Sequence, residues 1–297
     1  MKLLSDFDGV LTDLTDEARR VRELFDAELA AARPGAARET AEIVAAAERA
    51  ADAEPHLHGW NWGGRVTAFV NEDHFIRVNG IAARLDADAD RGLAGPAALR
   101  QALQIGGLKQ FREVAQSAYL AMTLETAAGK IHPLDPAVPA VLGELMARGI
   151  EIVIVSNSGT DRIVQILRGA GISPIAHGSG TGPLRVRGDA KKFVLGDDPT
   201  RRRSFRAGSY EVQVDRPHYE TILREERPDF VLGDVFSLDL ALPIQLRRSG
   251  DPAFTALHAL LRRRPYTPEW PGVHLGSDPS VRWSVIDDLT QLSTIVR

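Results

Sequence analysis

Hydrophobic and polar positions change rhythm along this chain. Leu3-Leu4 is a short apolar run that stops at Ser5-Asp6-Phe7-Asp8-Gly9-Val10-Leu11-Thr12-Asp13, which predicts a first strand ending in an acidic turn. From Asp16 to Ala32, Val21, Leu24, Phe25 and Leu29 recur at helical spacing among charges. Arg38 to Ala53 is alanine-rich and also predicts a helix, with Pro34-Gly35 as the break before it. His56 to Gly64, rich in aromatic, histidine and glycine residues, predicts a loop. Arg65 to Phe75 reads equally as strand or helix, Asp86 to Gly92 reads as a solvated turn, and residues 97–128 read as helical. Pro133 and Pro136 predict the opening of a helix that ends near Gly149.

The second half is different. Ile150 to Val155 is a continuous β-branched run, the pattern of a buried parallel strand. Asp161–Gly169 predicts a helix and Ile175–His177 a short strand. Leu184–Arg187, Lys192–Leu195, Ser204–Arg206 and Tyr210–Val214 predict β-hairpins turned at Gly188, Asp197-Asp198 and Gly208. His218–Glu225 then predicts a helix, Phe230–Leu232 a buried strand, Ala253–Arg263 a helix, Val273–Leu275 a strand, and the residues from Asp287 a closing helix. Strands alternating with helices predict an α/β protein with a doubly wound, Rossmann-like parallel sheet. The mostly helical stretch before Ile150 is too long for a crossover. It predicts an inserted α-helical domain at 14–130 within a core of 1–13 and 131–297, the hairpins being an elaboration of that core.

Composition narrows the chemistry. The 297 residues are 26% charged and 44% hydrophobic, an ordinary globular balance. A net charge of −4 offers no basic field for nucleic acid, and Arg201-Arg202-Arg203 and Arg262-Arg263-Arg264 read as solvated faces. With no cysteine there is no disulfide, thiolate metal site or cysteine nucleophile. No apolar run approaches the ~18 residues of a membrane span. The residues after Met1-Lys2 lack the apolar stretch of about 7–15 residues of a signal peptide. A cytoplasmic protein without membrane or nucleic-acid partners is the expectation.

Asp6 and Asp8 lie two apart on an extended segment, so their side chains point the same way and repel unless a cation lies between them. That predicts a divalent metal and a nucleophile beside an acid. In open α/β sheets ligands bind beyond the carboxyl ends of the strands. Three polar signals fall at such ends: Asp6 with Asp8, Ser156-Asn157-Ser158-Gly159, and Gly233-Asp234 with Asp239 a few residues on.

In these segments the chain resembles the haloacid dehalogenase-like (HAD) superfamily. Asp6-Phe7-Asp8-Gly9-Val10-Leu11-Thr12-Asp13 is similar to its first motif, Ile152-Val153-Ile154-Val155-Ser156-Asn157 to its second, and Val231-Leu232-Gly233-Asp234 through Asp239 to its fourth. The resemblance implies a Mg²⁺-dependent phosphohydrolase acting on a small phosphorylated metabolite through an aspartyl-phosphate, with the inserted α-helical domain at 14–130 as its cap. Asp6 would be the nucleophile, Asp8 the general acid and then base, and Ser156 and Asn157 the partners of the phosphoryl group and substrate. Asp6, Asp234, Asp239 and the Asp8 backbone carbonyl would hold Mg²⁺. Asp8 favours an oxygen leaving group, since halide departs without a proton. A haloacid dehalogenase, a phosphomutase and a catalytically silent binding or regulatory protein are the alternatives on this fold.

The third motif departs from the family pattern. It supplies a lysine that neutralises charge at the nucleophile. Here Arg216 in Asp215-Arg216-Pro217, or Lys192 (or Lys191) in Lys191-Lys192-Phe193, are the candidates, and the sequence leaves them open. In the His56–Gly64 loop, Trp60 and Trp62 would cover an apolar leaving group and Arg65 would meet a second anion. The competing reading is that the tryptophans pack the helices of the insertion.

Overall fold

The computed structural model describes residues 1–107, 110–127, 134–276 and 278–296. The chain divides into two compact units, Met1–Asp13 with Pro133–Arg297, and Leu14–His132. The first unit opens with β1 (Lys2–Ser5). The second runs α1 (Thr15–Ala32), α2 (Ala37–Ala53), β2 (Gly59–Trp62), β3 (Arg65–Phe69), α3 (His74–Asp90), α4 (Ala94–Ile105) and α5 (Phe111–Ala127). The first unit resumes with α6 (Val138–Ala147), β4 (Glu151–Val155), α7 (Thr160–Gly169), β5 (Ile175–Ala176), β6 (Leu184–Arg187), β7 (Ser204–Ala207), β8 (Tyr210–Gln213) and α8 (Pro217–Glu226). It ends with β9 (Phe230–Gly233), α9 (Ala241–Arg248), β10 (His258–Arg262), α10 (Trp270–Leu275), β11 (Trp283–Ile286) and α11 (Leu292–Ile295).

Seven parallel strands form the sheet, in the order β11-β10-β9-β1-β4-β6-β5. β1 lies between β4 and β9, with Leu4 in register with both Val153 and Val231. The chain builds outward to one side of β1 first and to the other side later, so β1 marks the switch point where such sheets bind ligands. Leu3, Leu4, Ile152 to Val155, Val231 and Leu232 are all at most 1% exposed, which is why these strands read as unbroken apolar runs. Val138, Leu142 and Leu145 of α6, Ile163 and Leu167 of α7 and Leu292 of α11 join Leu3, Ile152, Ile154 and Leu260 in one core.

Near the start of β1, Glu226 at the end of α8 accepts from Arg185 and Arg187 of β6 and from Lys2 of β1, at 2.7, 3.0 and 3.2 Å. Burial would raise the Glu226 carboxyl, but Arg185, Arg187 and Lys2 hold it down at about 2. A carboxylate depressed in the folded state stabilises above its unfolded pKa and loses that contribution as pH falls towards 2. Glu226→Gln will therefore cost about 3 kcal/mol at neutral pH. Urea unfolding at pH 7 and pH 3 checks this: the difference from wild type narrows at the lower pH.

In the second unit, Val21, Phe25 and Leu29 of α1, Ile81 and Leu85 of α3 and Phe111, Val114 and Met122 of α5 share a core. The α3 N-terminus is capped by Asp73, whose Oδ1 accepts from the Phe75 and Ile76 amides. β2 and β3 close as a hairpin at Gly63-Gly64, where φ values of 56° and 78° fit a type I′ turn. Among the described residues no helix is long and apolar enough to cross a membrane.

Several sequence expectations change. Asp86 to Asp90 is not a turn but the end of α3, with Asp86 and Asp88 buried. The Asp86 carboxylate accepts from the Phe111 amide at 2.9 Å and from the Arg112 side chain at 3.0 Å, anchoring the start of α5. The stretch expected to be helical at 97–128 holds two helices, α4 and α5; residue 128 and Pro133 lie outside the described residues. The His56–Gly64 loop contributes β2. Leu184–Arg187 is a strand of the main sheet, parallel to β4, and Lys192–Leu195 is not a strand; the hairpin is β7 with β8 alone. His258–Arg262 is a strand rather than part of a helix, because a fully buried run carries no periodicity and its place between β9 and β11 overrides propensity. Trp270–Leu275 is a short helix with proline in its first turn, not a strand, and α9 and β11 were not foreseen.

Candidate active site

β1 extends one residue past its end, the Asp6 amide donating to the Leu232 carbonyl at 2.8 Å, and this delivers the Asp6 side chain to the carboxyl edge of the sheet. The chain then turns at Gly9, whose φ is 73°. A Cβ there would run into Asp234 Oδ2 and the Tyr266 hydroxyl, so both the backbone and the space demand glycine. The Gly9 amide donates to Thr12 Oγ1 at 2.9 Å. Arg264 Nε donates to the Gly9 carbonyl at 2.5 Å, while Arg262 donates to the Val10 carbonyl and to Asp135. Arg262 is 3% exposed, and burial lowers its pKa. The expectation of a solvated face therefore fails at Arg262, which closes β10 under the acidic turn, though it holds for the exposed Arg263.

Lys192 reaches this edge from the loop after β6. Its ammonium, 1% exposed, donates to Asp6 Oδ1 and Asp239 Oδ1, both at 2.8 Å. Its amide donates to Asn157 Oδ1 at 2.7 Å, and its carbonyl accepts from Arg216. Tyr219 lies with its ring 5.5 Å from Nζ and its hydroxyl donating to the Asp239 carbonyl at 2.9 Å. Of the cations left open by the sequence, the lysine at position 192 hydrogen-bonds Asp6. Arg216, buried behind it, donates to the Lys192 and Gln213 carbonyls, and Lys191 is exposed. The Asn157 side-chain carbonyl thus holds the backbone of the lysine in place.

Burial pushes the Asp6 carboxyl up to about 8; Lys192 pulls it down, and Asp239 and Asp8 push it up further. Burial pulls the Lys192 ammonium down, but Asp239 and Asp6 hold it above the ordinary lysine range.

Asp239 stands on a π-helical turn, Phe236–Leu240, and its Oδ2 accepts from the Val235 amide at 3.1 Å. Asp234 Oδ2 accepts from the Tyr266 hydroxyl at 2.7 Å. Asp6, Asp234 and Asp239 each offer a carboxylate oxygen within 4.8 Å of the others. Three carboxylates against one ammonium leave an excess of negative charge, and an all-oxygen donor set is what a hard divalent cation takes. The residues fit such an ion.

Asp8 has other partners. Its Oδ2 accepts from Ser156 Oγ at 3.1 Å and Ser158 Oγ at 2.6 Å, and its Oδ1 from Arg162 Nη1 at 2.9 Å. The Asp8 carboxylate is thus grouped with Ser156, Ser158 and Arg162 and not with Asp6, Asp234 and Asp239, because the strand ends at Ser5 and the alternation of an extended chain ends with it. Ser158, Arg162 and Tyr266 were missed. Ser158 and Arg162 lie within six residues of Ser156, close enough for a helix N-terminus to carry them to one edge. Tyr266 carries no sequence signal.

Asp6, Asp8, Ser156, Asn157, Lys192, Arg216, Asp234 and Asp239 all belong to the first unit. Trp60, Trp62 and Arg65 stand on the β2–β3 hairpin of the second, with Trp62 opposite Arg65. Trp60 is half-buried and Trp62 is 37% exposed, so Trp62 is not a core residue.

A parallel sheet with a buried lysine and three convergent carboxylates at its carboxyl edge defines a class that comparison makes explicit. The model of the haloacid dehalogenase-like hydrolases matches residues 3–193, and the chain belongs to that family. No protein of curated function matches the sequence. Among solved structures, it is similar to the HAD-hydrolase YfnB from Bacillus subtilis, bound to magnesium, at 13% identity and a TM-score of 0.45 over 99% of this chain and 97% of that one. It is also similar to the 2-haloacid dehalogenase of Pseudomonas syringae pv. Tomato DC3000, at 15% identity and 0.40 over 99% and 97%. CbbY from Rhodobacter sphaeroides, in complex with a xylulose bisphosphate, is similar at 13% and 0.40 over 98% and 95%.

Proposed function

We propose that this hydrolase is a Mg²⁺-dependent phosphomonoesterase acting on a small phosphorylated metabolite through an aspartyl-phosphate. The observation that carries the reading is the pairing of a lysine-bound Asp6 with a second acid, Asp8, held apart from the three-carboxylate cluster by Ser156, Ser158 and Arg162. A halide leaves without a proton, so a separately held acid has work to do only when the leaving atom is oxygen. Lys192 beside Asp6 supplies a cation where the third motif departs from the family pattern, which supports turnover over a catalytically silent protein.

In this reading Asp6 attacks phosphorus as the ester P–O bond breaks, and Asp8 gives its proton to the departing oxygen. With substrate bound, Ser156 Oγ turns its one proton from Asp8 to a phosphoryl oxygen, leaving Asp8 to Ser158 and Arg162, and Lys192 offsets the charge of Asp6 and the phosphate. Water then attacks the acyl phosphate, with Asp8 taking its proton. Asp6, Asp234, Asp239 and the Asp8 backbone carbonyl would hold Mg²⁺, which when bound supplies charge neutralisation for the phosphoryl group. The second unit, as a cap, would select the leaving group through Trp60, Trp62 and Arg65.

Phosphate release from p-nitrophenyl phosphate and from a panel of phosphorylated metabolites, with Mg²⁺ and after chelation, tests the proposal. Metal-dependent release is expected. Metal-independent halide release from a 2-haloacid would replace it with dehalogenation, and phosphate returned to substrate with mutation of position. Tyr266→Phe removes the donor that orients Asp234. It will weaken Mg²⁺ binding about tenfold, read by calorimetry.

A further inference from the structure

We propose that Arg162 is the positioning residue for Asp8, an assignment that rests on the phosphohydrolase reading. The Asp8 carboxylate is held at both oxygens, by Arg162 Nη1 on Oδ1 and by Ser156 and Ser158 hydroxyls on Oδ2. Arg162 Nη1 also reaches Ser158 Oγ at 3.1 Å, so arginine, serine and carboxylate close a triangle. All three donors come from the segment that leaves β4 and enters α7, and β4 is the neighbour of β1, which leads into the turn of Asp8. The pair is also reachable by substrate, since the Arg162 and Asp8 side chains are 20% and 23% exposed, whereas Asp239 and Lys192 are 3% and 1%.

The geometry has a chemical consequence. As the Asp6–phosphorus bond forms and the ester P–O bond breaks, the bonding pair stays on the ester oxygen, and the Asp8 proton moves onto it. That transfer needs the carboxyl within about 0.5 Å of one place, and a side chain on a turn has two free torsions to spend. Ser158 pins one oxygen; Arg162 pins the other and ties Ser158 to it. A leaving group that departs readily as the anion has no use for the proton. In the step that releases the alcohol, Arg162 therefore matters for alkyl esters and not for aryl esters with an acidic alcohol.

The experiment compares p-nitrophenyl phosphate with an alkyl phosphate in wild type, Arg162→Met, Arg162→Lys, Asp8→Asn and the Asp8→Asn/Arg162→Met double variant. Arg162→Met is expected to lower the single-turnover rate of alcohol release from the alkyl ester by about 10²-fold and from the aryl ester by less than about threefold, with half-saturation unchanged, while the later Asp8-dependent hydrolysis of the acyl phosphate slows equally for both. Arg162→Lys should recover part of the alkyl rate. In the Asp8→Asn background the arginine substitution should add nothing, because its effect passes through the carboxylate. Equal losses of alcohol release from both esters with a raised half-saturation would assign Arg162 to direct phosphate binding and overturn the proposal, as would losses that multiply in the double variant. Those outcomes leave Asp6-dependent hydrolysis intact. A wild-type protein that hydrolyses neither ester would instead bring down the phosphohydrolase reading, and this assignment with it.

Discussion

Asp6→Asn will abolish phosphate release, by about 10⁴-fold or more, in a protein that remains folded. Asparagine keeps the shape of the side chain and leaves Lys192 its bond to Asp239, so the lysine does not become an unpaired buried charge. It cannot form the acyl phosphate. The substitution has a second readout. Burial places the Asp6 carboxyl near 8 in the metal-free protein, against an ordinary value of 3.8. Over that interval the folded state holds a proton that the unfolded state has released, so stability falls as pH rises from about 4 to about 8. In Asp6→Asn that component of the fall disappears, and in wild type Mg²⁺ should reduce it. Thermal melts across this range, with and without Mg²⁺, check both statements. Retained turnover in Asp6→Asn would remove Asp6 as nucleophile.

Lys192→Met is expected to damage both stability and activity. The ammonium lies between Asp6 and Asp239, nearly without exposure, and deleting it leaves two buried carboxylates facing each other. Losing one partner of a buried ion cluster costs about 3–5 kcal/mol. Hydrolysis should fall by about 10³-fold, because the phosphoryl group would meet uncompensated charge. Mg²⁺ should restore part of the stability and none of the activity. Lys192→Arg is expected not to rescue turnover, since a longer, planar guanidinium would have to take the place of a compact ammonium buried between Asp6 and Asp239 beside the Tyr219 ring. Denaturant midpoints with and without Mg²⁺ give the first quantity and phosphate release the second. Full activity in Lys192→Met would return the role to Arg216.

The central strands and the acidic turn were legible because burial on both faces writes an unbroken apolar run and a switch point puts polar residues directly after it. Ile150 to Val155 followed by Ser156, and Phe230 to Leu232 followed by Asp234, are the instances. The same physics hid β10. His258–Arg262 is as buried as β4, but its Ala-Leu-Leu content favours helix and no alternation contradicts that. α3 was hidden by its acids. Asp86 and Asp88 read as solvent-facing until Phe111 and Arg112 are brought to one and Arg84 and Arg91 to the other, partners distant or ambiguous in sequence. At the site, proximity to Asp6 was readable for residues at strand ends. It was not readable for Lys192, which arrives on an irregular loop where Asp189 and Lys191 take positive φ. Tyr266 arrives the same way.

The second unit leaves the chain after Asp13, and the first resumes where Thr12 and Leu134 pair as neighbours in an antiparallel bridge, with the Asp135 amide on the Leu11 carbonyl at 3.0 Å. Exit and re-entry are one bridge wide. The register of β1 with β4 is therefore indifferent to how much chain is spent between them: a short turn or a different domain could occupy the same doorway without asking the sheet to move. The fold has a socket there, and what is plugged into it can be exchanged over evolution, or at the bench, while the residues around Asp6 keep their places.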